Sequence, residues 1–187
     1  MDDAQRLYIA LIHHPVVNKN GKIVGSAVTN MDIHDIARAG RTFGVKEYYV
    51  VTPYEDQIVL AVQIMDHWTK GAGAKVNPAR KSAIERVRVV KTFDDACRDI
   101  ETQENQAVIK VATSARAFEN AISCDRLRQK LNENAPHLLM FGTAWGLAQE
   151  VIDQCDYILE PILGTGSYNH LPVRSAVSIY LDRLTNI

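Results

Sequence analysis

Two glycine-rich segments are the part of the sequence best suited to hold a planar ligand. They are Phe141-Gly142-Thr143-Ala144-Trp145-Gly146 and Pro161-Ile162-Leu163-Gly164-Thr165-Gly166, and each follows a short apolar run. Glycine in such a loop permits a positive φ or the close approach of the backbone to a ligand. Neither segment has the spacing of a dinucleotide fingerprint or of a phosphate-binding P-loop. Either loop taken alone would more often be an ordinary turn.

The histidines and cysteines form no metal-binding pattern, so no metal is expected. Cys97, Cys124 and Cys155 are widely spaced, and the six histidines show no HxH or HExxH spacing. An odd number of dispersed cysteines is typical of free thiols in a reducing compartment. His13 and His14 would point to opposite faces of a strand, which disfavours a shared metal. Either histidine could accept a proton at neutral pH.

The charge balance excludes a protein that binds nucleic acid through bulk positive charge. The chain has 21 Lys and Arg residues against 22 Asp and Glu residues, for a net charge of −1.

A local patch would still permit RNA binding, and one is present in residues 70–91, where Glu85 is the single acid. The cations there are Lys70, Lys75, Arg80, Lys81, Arg86, Arg88 and Lys91. Its Gly-rich start and Asn77-Pro78 predict a mobile basic loop that contacts RNA phosphates, the alternative being a solvated surface loop. Trp68 just before it is either a core residue or a base-stacking one.

Strands and helices alternate along the whole chain, which predicts an α/β fold. The expected fold is one domain over residues 1–187, with a mostly parallel sheet and helices on both faces. The predicted strands are Leu7–Ile12, Glu47–Thr52, Val87–Lys91, Ala107–Val111, His137–Phe141 and Tyr157–Leu159. The predicted helices are Met31–Phe43, Glu55–Trp68, Phe93–Glu104, Cys124–Asn132, Leu147–Ile152 and Val173–Leu184. Ligands of such sheets bind at the carboxyl ends of the strands, where both glycine-rich segments are expected.

The helix after Asn30 directs one arginine away from the sheet. Asn30 is the predicted N-cap, and the apolar residues that follow form a single stripe. Arg38 lies off that stripe, so it faces solvent, a ligand or a partner chain. The alternative is a surface arginine paired with Asp32 or Asp35 on the same helix.

The two ends of the chain carry further expectations. The N-terminus is polar and acidic, and no apolar run approaches the ~20 residues that span a bilayer, so a cytoplasmic protein without membrane contact is expected. The last helix is apolar over a wide arc, which predicts a homodimer. That arc consists of Ala176, Val177, Ile179, Tyr180, Leu181 and Leu184.

Three segments together resemble the SPOUT superfamily of S-adenosylmethionine-dependent RNA methyltransferases. The first is Thr29 to Ala39 with Phe43-Gly44-Val45, similar to the Asn, Ile-Ala-Arg and Phe-Gly-Val motif of the ribose-methylating branch. The second is Leu138 to Leu147, and the third runs from Leu159 to Ala176. With His13-His14-Pro15-Val16, the third resembles a bacterial subfamily of predicted RNA methyltransferases that is sometimes associated with tRNA guanine-N1 methylation.

The resemblance implies a fold, a cofactor and site residues. The fold would be the α/β knot, with a C-terminal trefoil knot over about residues 137–187. The partners would be tRNA or rRNA and a second copy of the chain, bound through the knot and the last helix. Arg38, Asn30 and Asn169 would be catalytic. S-adenosylmethionine would be held by Phe141, Gly142, Thr143, Trp145, Gly146, Pro161, Ile162, Gly164, Gly166, Tyr168, Asn169, Leu171 and Val173.

Two departures from the family pattern leave the acceptor atom open. The second motif has Thr143, Ala144 and Trp145 where the ribose-methylating branch has a Glu. In the third motif, either Asn169 keeps the family's Asn with an insertion, or Pro172 replaces it in the register of the helix. Ribose 2′-O and guanine base methylation are therefore both considered. Two other functions are also considered: a catalytically silent knot protein that binds RNA or the cofactor, and a doubly wound enzyme that acts on a small molecule.

Overall fold

A computed structural model describes residues 6–185 of the chain, which contain a six-stranded parallel sheet. The sheet strands are β1 (Leu7–Ile12), β4 (Tyr48–Val51), β5 (Val87–Val90), β6 (Ile109–Thr113), β7 (His137–Gly142) and β8 (Tyr157–Leu159), and their order across the sheet is β5-β4-β1-β7-β6-β8. A separate hairpin pairs β2 (Val16–Val17) with β3 (Ile23–Val24). The predicted parallel α/β sheet is thereby confirmed.

Eight helices connect and flank these strands within residues 6–185. They are α1 (Asn30–Thr42), α2 (Glu55–Thr69), α3 (Ala72–Val76), α4 (Pro78–Ile84), α5 (Phe93–Glu104), α6 (Cys124–Leu131), α7 (Gln149–Ile152) and α8 (Val173–Thr185). No helix among these described residues has both the length and the apolar composition needed to cross a membrane.

The sheet is buried on both faces because its strands are mainly apolar, the exceptions including Arg88 in β5, Lys110 in β6 and His137 in β7. Along the central strand β1, Ile9 and Leu11 pack into the core beneath α1 and α8, whereas Tyr8, Ala10 and Ile12 pack into the core beneath α5 and α7. Successive side chains of a strand point to opposite faces, so a six-residue apolar run fills two cores. Helices therefore cover both faces of the sheet, as the sequence predicted.

Helix α1 begins one residue earlier than the sequence suggested. Thr29 is the N-cap, and its hydroxyl accepts a hydrogen bond from the backbone N of Asp32 at 3.1 Å. The prediction of Asn30 as N-cap is therefore wrong by one residue, and Asn30 is the first, exposed residue of the helix. Both residue types suit the N-cap position, so composition alone did not distinguish them.

The basic segment is largely helical, so its prediction as a mobile loop is wrong. Asn77 caps α4, and its side chain accepts a hydrogen bond from the backbone N of Arg80 at 2.9 Å, with Pro78 as the first helical residue. Asn followed by Pro is a helix start as well as a turn signal, and here the helix forms because Ala83 and Ile84 join the core. Helix α4 packs against α1 and α2.

The apolar arc of α8 is mostly occupied within its own chain. Val177, Tyr180, Leu181 and Leu184 are buried in the core, where α8 packs against α1 and α6. Two neighbouring helices and the sheet together cover most of this arc, so the arc by itself does not require a second copy, and the homodimer stays a prediction.

Candidate ligand-binding site

A cavity of about 690 Å³ lies at the carboxyl ends of β6 and β7. Its volume falls in the range of small-molecule sites, and its lining combines apolar side chains with a few polar groups. Four segments form its wall: the loop after β6, the loop after β7, the segment between β8 and α8, and α8 itself. The lining residues are Thr113, Ser114, Ala115, Arg116, Gly142, Ala144, Trp145, Gly146, Ile162, Ser167, Asn169, His170, Leu171, Ala176 and Tyr180.

The loop after β7 folds back on itself at Gly142. A Cβ atom at that position would lie 2.4 Å from the backbone N of Leu147 and 2.7 Å from the carbonyl carbon of Gly146. Gly146 itself has φ +107°, a conformation that side chains rarely adopt. The loop is tied to β2, because Trp145 N donates to Val17 O and Val17 N donates to Gly146 O, both at 3.0 Å. Glycine is therefore required at both ends of this turn.

The segment between β8 and α8 is more open. A Cβ on Gly164 would have its nearest described neighbour at 4.0 Å, and one on Gly166 would meet nothing within 4 Å. This segment is attached to the loop after β6 by Asn169, whose Nδ2 donates to the Ala115 carbonyl at 2.8 Å. Tyr168, His170 and Trp145 form an aromatic chain at the mouth, with ring centroids 5.3 Å and 6.2 Å apart for the two successive pairs.

The structure brings six of the predicted cofactor residues to the cavity wall. These are Gly142, Trp145, Gly146, Ile162, Asn169 and Leu171. The others predicted, which are Phe141, Thr143, Pro161, Gly164, Gly166, Tyr168 and Val173, are outside the lining. Phe141 is buried against Tyr180, with ring centroids 6.0 Å apart, and Val173 packs against the core.

Sequence reasoning missed the contribution of the loop after β6 and of α8. Thr113-Ser114 was visible as a polar strand end, but no motif connected it with the two glycine-rich segments. Tyr180 is nearly fully buried, its hydroxyl donates to Glu160 O at 2.7 Å, and burial raises the pKa of its phenol. The hydroxyl is therefore a neutral donor that fixes the start of the open segment.

A buried hydrogen-bond chain lies behind the β7 loop, outside the cavity lining. Thr143 Oγ1 donates to Ile12 O at 3.1 Å, and its other hydroxyl contact is with Ser26 Oγ at 2.5 Å. Ser26 therefore donates to Thr143 and accepts from His13 Nδ1, which lies 2.9 Å away. Burial lowers the pKa of His13 to about 4, so this ring is neutral at pH 7, with its proton on Nδ1. A base with such a low pKa is poorly matched to proton abstraction at neutral pH.

The three predicted catalytic residues do not converge within one chain. Asn169 lines the cavity, whereas Asn30 and Arg38 are exposed on α1, outside its lining. Arg38 does not pair with Asp32 or Asp35, the acids considered from the sequence, because Arg174 of α8 binds both of them. The guanidinium of Arg38 instead lines a smaller cavity between α1 and α4.

The described residues offer no converging set of metal ligands. No group of three His, Cys, Asp or Glu side chains within residues 6–185 is placed to hold a metal ion. Cys97, Cys124 and Cys155 are free thiols, as the sequence predicted.

Comparison with known families and relatives agrees with the sequence motifs. A family described as SAM-dependent RNA methyltransferase matches residues 6–186. A tRNA (guanine-N(1)-)-methyltransferase of Oleidesulfovibrio alaskensis is 47% identical over 180 residues, which are 96% of this chain and 42% of that protein. An uncharacterized protein of Aquifex aeolicus is 38% identical over 181 residues, 96% of this chain and 88% of the other. The chain thus spans about two fifths of the length of the methyltransferase that it matches.

Solved structures share the fold. A methylase family protein of Neisseria gonorrhoeae superposes with a TM-score of 0.68 at 18% identity, covering 99% of this chain and 84% of that one. The SpoU methyltransferase AviRb of Streptomyces viridochromogenes, solved in complex with AdoMet, gives a TM-score of 0.59 at 16% identity, covering 99% of this chain and 58% of that one.

Proposed function

Since the chain belongs to a family of S-adenosylmethionine-dependent RNA methyltransferases, we propose that it methylates a nucleotide of tRNA or rRNA at the cavity beside β6 and β7. One observation carries the proposal: the second and third motifs both contribute to one cavity of ligand size, although they are separated in sequence by α7 and β8. That arrangement gives the two motifs a shared role that neither would have as an isolated turn.

The cavity has the features that S-adenosylmethionine requires. At about 690 Å³ it exceeds the space of one such molecule, and Gly142 and Gly146 expose backbone where an adenine or ribose would approach. Trp145 and Ile162 supply apolar surface for a ring, and Asn169 and Ser114 supply polar groups. Leu171 adds to the apolar lining. The predicted residues outside the lining would support these loops or cover the mouth: Phe141, Thr143, Pro161, Gly164, Gly166, Tyr168 and Val173. When bound, the cofactor supplies an already activated methyl group.

The protein must therefore orient the acceptor and accept one proton. Among the described lining residues, His170 is the one imidazole, and an imidazole nitrogen can accept a proton, so it is the proposed proton acceptor. Asn169 is fixed through Nδ2, which leaves its Oδ1 to orient the acceptor. Arg38 is permanently protonated, so its proposed role is to stabilise developing negative charge or to hold a phosphate. Asn30, about two turns earlier on α1, would assist in orienting the same nucleotide.

Arg38 would act in a homodimer, at the site of the other copy. It lies outside the cavity of its own chain, on the exposed side of α1. Support for the dimer comes from apolar side chains that this chain leaves exposed near the cavity mouth, among them Leu163 at 72% and Tyr168 at 77%. Burial of these side chains against a second copy would close the mouth and bring the partner's α1 close to it.

A trefoil knot over residues from about 137 onward belongs to the same proposal, within one methyltransferase domain. Strand β8 lies at the edge of the sheet beside β6. The segment after β8 nevertheless contacts the loop after β6, through the hydrogen bond from Asn169 to Ala115, and α8 then packs against α1 and α6. This return path across the strand ends supports a chain that passes through its own loop. Guanine N1 in tRNA is the first acceptor to test, because relatives that match 96% of the chain are named for it.

The direct test uses RNA from cells that lack the gene. The purified protein is incubated with that RNA and S-adenosylmethionine carrying a labelled methyl group, and the nucleosides are then separated by mass spectrometry. One labelled nucleoside in tRNA or rRNA is expected, with label on the guanine base. Label on ribose would move the acceptor to the 2′-oxygen, and binding of S-adenosylhomocysteine without any transfer would instead identify a silent knot protein.

A further inference from the structure

A second, smaller cavity of about 350 Å³ lies between α1 and α4 on the helical face that also carries α8. We name it the arginine groove, and the residues that define it are Arg38, Arg41, Thr42, Asn77, Arg80 and Ser82. Three arginines thus line one small cavity whose lining contains no acidic residue.

The positive charge of this groove is not neutralised by the part of the chain that is described. None of the ion pairs within residues 6–185 involves Arg38, Arg41 or Arg80. Neighbouring groups respond to that charge. The pKa of Arg86 is lowered by burial and then by the charge of Arg41, and the pKa of His34 is lowered by burial and then by the charge of Arg80.

Arg80 is held in place before any ligand arrives. Its guanidinium lies over the ring of Trp68, with Cζ 4.4 Å from the ring centroid. The indole is fixed in turn, because His34 contacts its ring edge-on at 5.2 Å and a Cβ on Gly73 would lie 2.6 Å from Trp68 Cε3. This face of Trp68 is therefore occupied by an arginine and is not free to stack a base.

One donor in the groove has no acceptor. Arg80 Nε is buried and makes no hydrogen bond with any described residue. A buried charged donor without a partner costs free energy, and an external acceptor would recover it only through a shift of the side chain that exposes Nε. Guanidinium groups present forked pairs of N–H donors that match the oxygens of a phosphate, and three such groups around one cavity suit a single anionic phosphate.

We propose that the arginine groove binds a backbone phosphate of the RNA substrate, at a position separate from the methyl-transfer cavity. This inference rests on the proposed function for the identity of the ligand as RNA. Arg38 connects the two sites, because the helix that carries it also carries Arg41 one turn later. An RNA strand that reaches Arg38 would therefore place a neighbouring phosphate against Arg41 and Arg80.

The test compares RNA affinity over a range of salt concentrations. The variants are Arg41→Ala, Arg80→Ala and Arg80→Lys, and the control is Arg98→Ala on α5. Arg98 lies on the opposite face of the sheet and pairs with Asp95. The probe is bulk tRNA from cells that lack the gene, in the presence of S-adenosylhomocysteine.

We expect Arg41→Ala and Arg80→Ala each to weaken tRNA binding by roughly tenfold at moderate salt. The slope of log affinity against log salt should fall by about one for the lost phosphate contact, with S-adenosylhomocysteine affinity unchanged. Arg80→Lys should recover little, because the planar fork is lost. Should Arg80→Ala fail to fold once Trp68 is uncovered, the exposed Arg41 supplies the same readout. An affinity and slope equal to those of Arg98→Ala would overturn the proposal.

Two further measurements are needed. One distinguishes RNA from a free anion as the ligand of the groove, and the other distinguishes failure of the groove proposal from failure of the proposed function. The chain has two tryptophans, so a Trp145→Phe variant leaves Trp68 as the only tryptophan, whose emission is then excited selectively. A Trp68 emission change with inorganic phosphate, combined with parental tRNA binding by both arginine variants, would assign the groove to a free anion and overturn the RNA assignment. If the parent protein binds tRNA through these arginines without methylating it, the groove proposal holds and the proposed function fails.

Discussion

Arg174, in the first turn of α8, donates from Nη1 to the carboxylate of Asp32 on α1 at a distance of 3.2 Å. Its Nε lies 3.3 Å from Asp35 Oδ2, so one guanidinium binds both acids of the first helix. Asp32 is almost completely buried and also accepts from the Thr29 hydroxyl at 2.6 Å. The contact joins the helix that carries Arg38 to the helix that lines the cavity, and it leaves Arg38 without the acids of its own helix.

Removal of the Arg174 side chain should destabilise the fold through this contact. Arg174→Ala leaves the buried carboxylate of Asp32 without its cation, and we expect a loss of about 1–3 kcal/mol in the free energy of unfolding. Urea denaturation would measure it. The exposed Arg126→Ala should change stability by less than about 0.5 kcal/mol. A double-mutant cycle with Asp32→Asn isolates the pair, and a coupling energy of zero would show that the two helices do not depend on it.

Arg38→Ala tests the proposed role of the exposed arginine. Because this side chain lies outside the core, the melting temperature and the affinity for S-adenosylhomocysteine should stay close to those of the parent. Single-turnover methyl transfer should fall by roughly 10²-fold or more if Arg38 stabilises charge in the transition state. Arg38→Lys should restore little of that loss. Full activity of Arg38→Ala would remove the residue from the mechanism.

Mixed dimers test whether Arg38 acts across the subunit boundary. Subunits with Arg38→Ala are combined with subunits with Gly142→Val, each inactive alone. If the arginine serves the other copy, the heterodimer contains one complete site and recovers part of the activity. Recovery should be absent if Arg38 acts within its own chain, because every chain then carries a defect.

The buried His13 should make stability depend on pH. Its pKa is lowered by burial to about 4 in the folded protein, against 6.5 in the unfolded chain, so only the unfolded chain takes up the proton between these values. Stability is therefore fully present above pH 6.5 and is lost as the pH falls from 6.5 towards 4. The contribution of the His13 ring to the slope of unfolding free energy against pH should approach about 1.4 kcal/mol per pH unit.

A pair of histidine variants isolates this effect. His13→Asn keeps a donor for Ser26 Oγ and should flatten the dependence of unfolding free energy on pH between 6.5 and 4. His14→Asn retains His13 and should keep the parental slope. Equal slopes for the parent and His13→Asn would show that another group causes the acid sensitivity.

The sequence was informative wherever one strong local signal controlled the structure. Predominantly apolar runs identified all six sheet strands, because a strand buried on both faces needs apolar residues at most of its positions. It was less informative where two structures share a signal. Asn77-Pro78 starts a helix as readily as a turn, and tertiary contacts of Ala83 and Ile84 with the core decided between them. The motifs also located the two glycine-rich segments of the candidate site.

The rest of the site depended on contacts that are distant in sequence. The Asn169–Ala115 hydrogen bond brings the loop after β6 into the cavity wall, and its partners are 54 residues apart. Asp32 pairs with Arg174, which is 142 residues away in sequence, and not with Arg38 on its own helix. Neither contact leaves a periodic or spaced pattern, so single-sequence reasoning had no means to find it.

Gly142 and Gly40 provide a matched pair of substitutions for the cavity. Gly142→Ala would force a Cβ against the backbone of Leu147 at 2.4 Å, so the loop after β7 must open. Gly40→Ala adds the same methyl group within α1, where its nearest neighbour is Val45 at an ordinary contact distance of 3.4 Å. The melting temperature of each variant would show whether the sheet remains folded.

The most direct test of the account is a calorimetric titration of S-adenosylhomocysteine into the parent protein, Gly142→Ala and Gly40→Ala. We expect saturable binding to the parent and to Gly40→Ala with equal affinity, and binding to Gly142→Ala that is weaker by at least about tenfold. An absence of binding to the parent, or equal affinity in all three proteins, would contradict the placement of the cofactor beside β6 and β7.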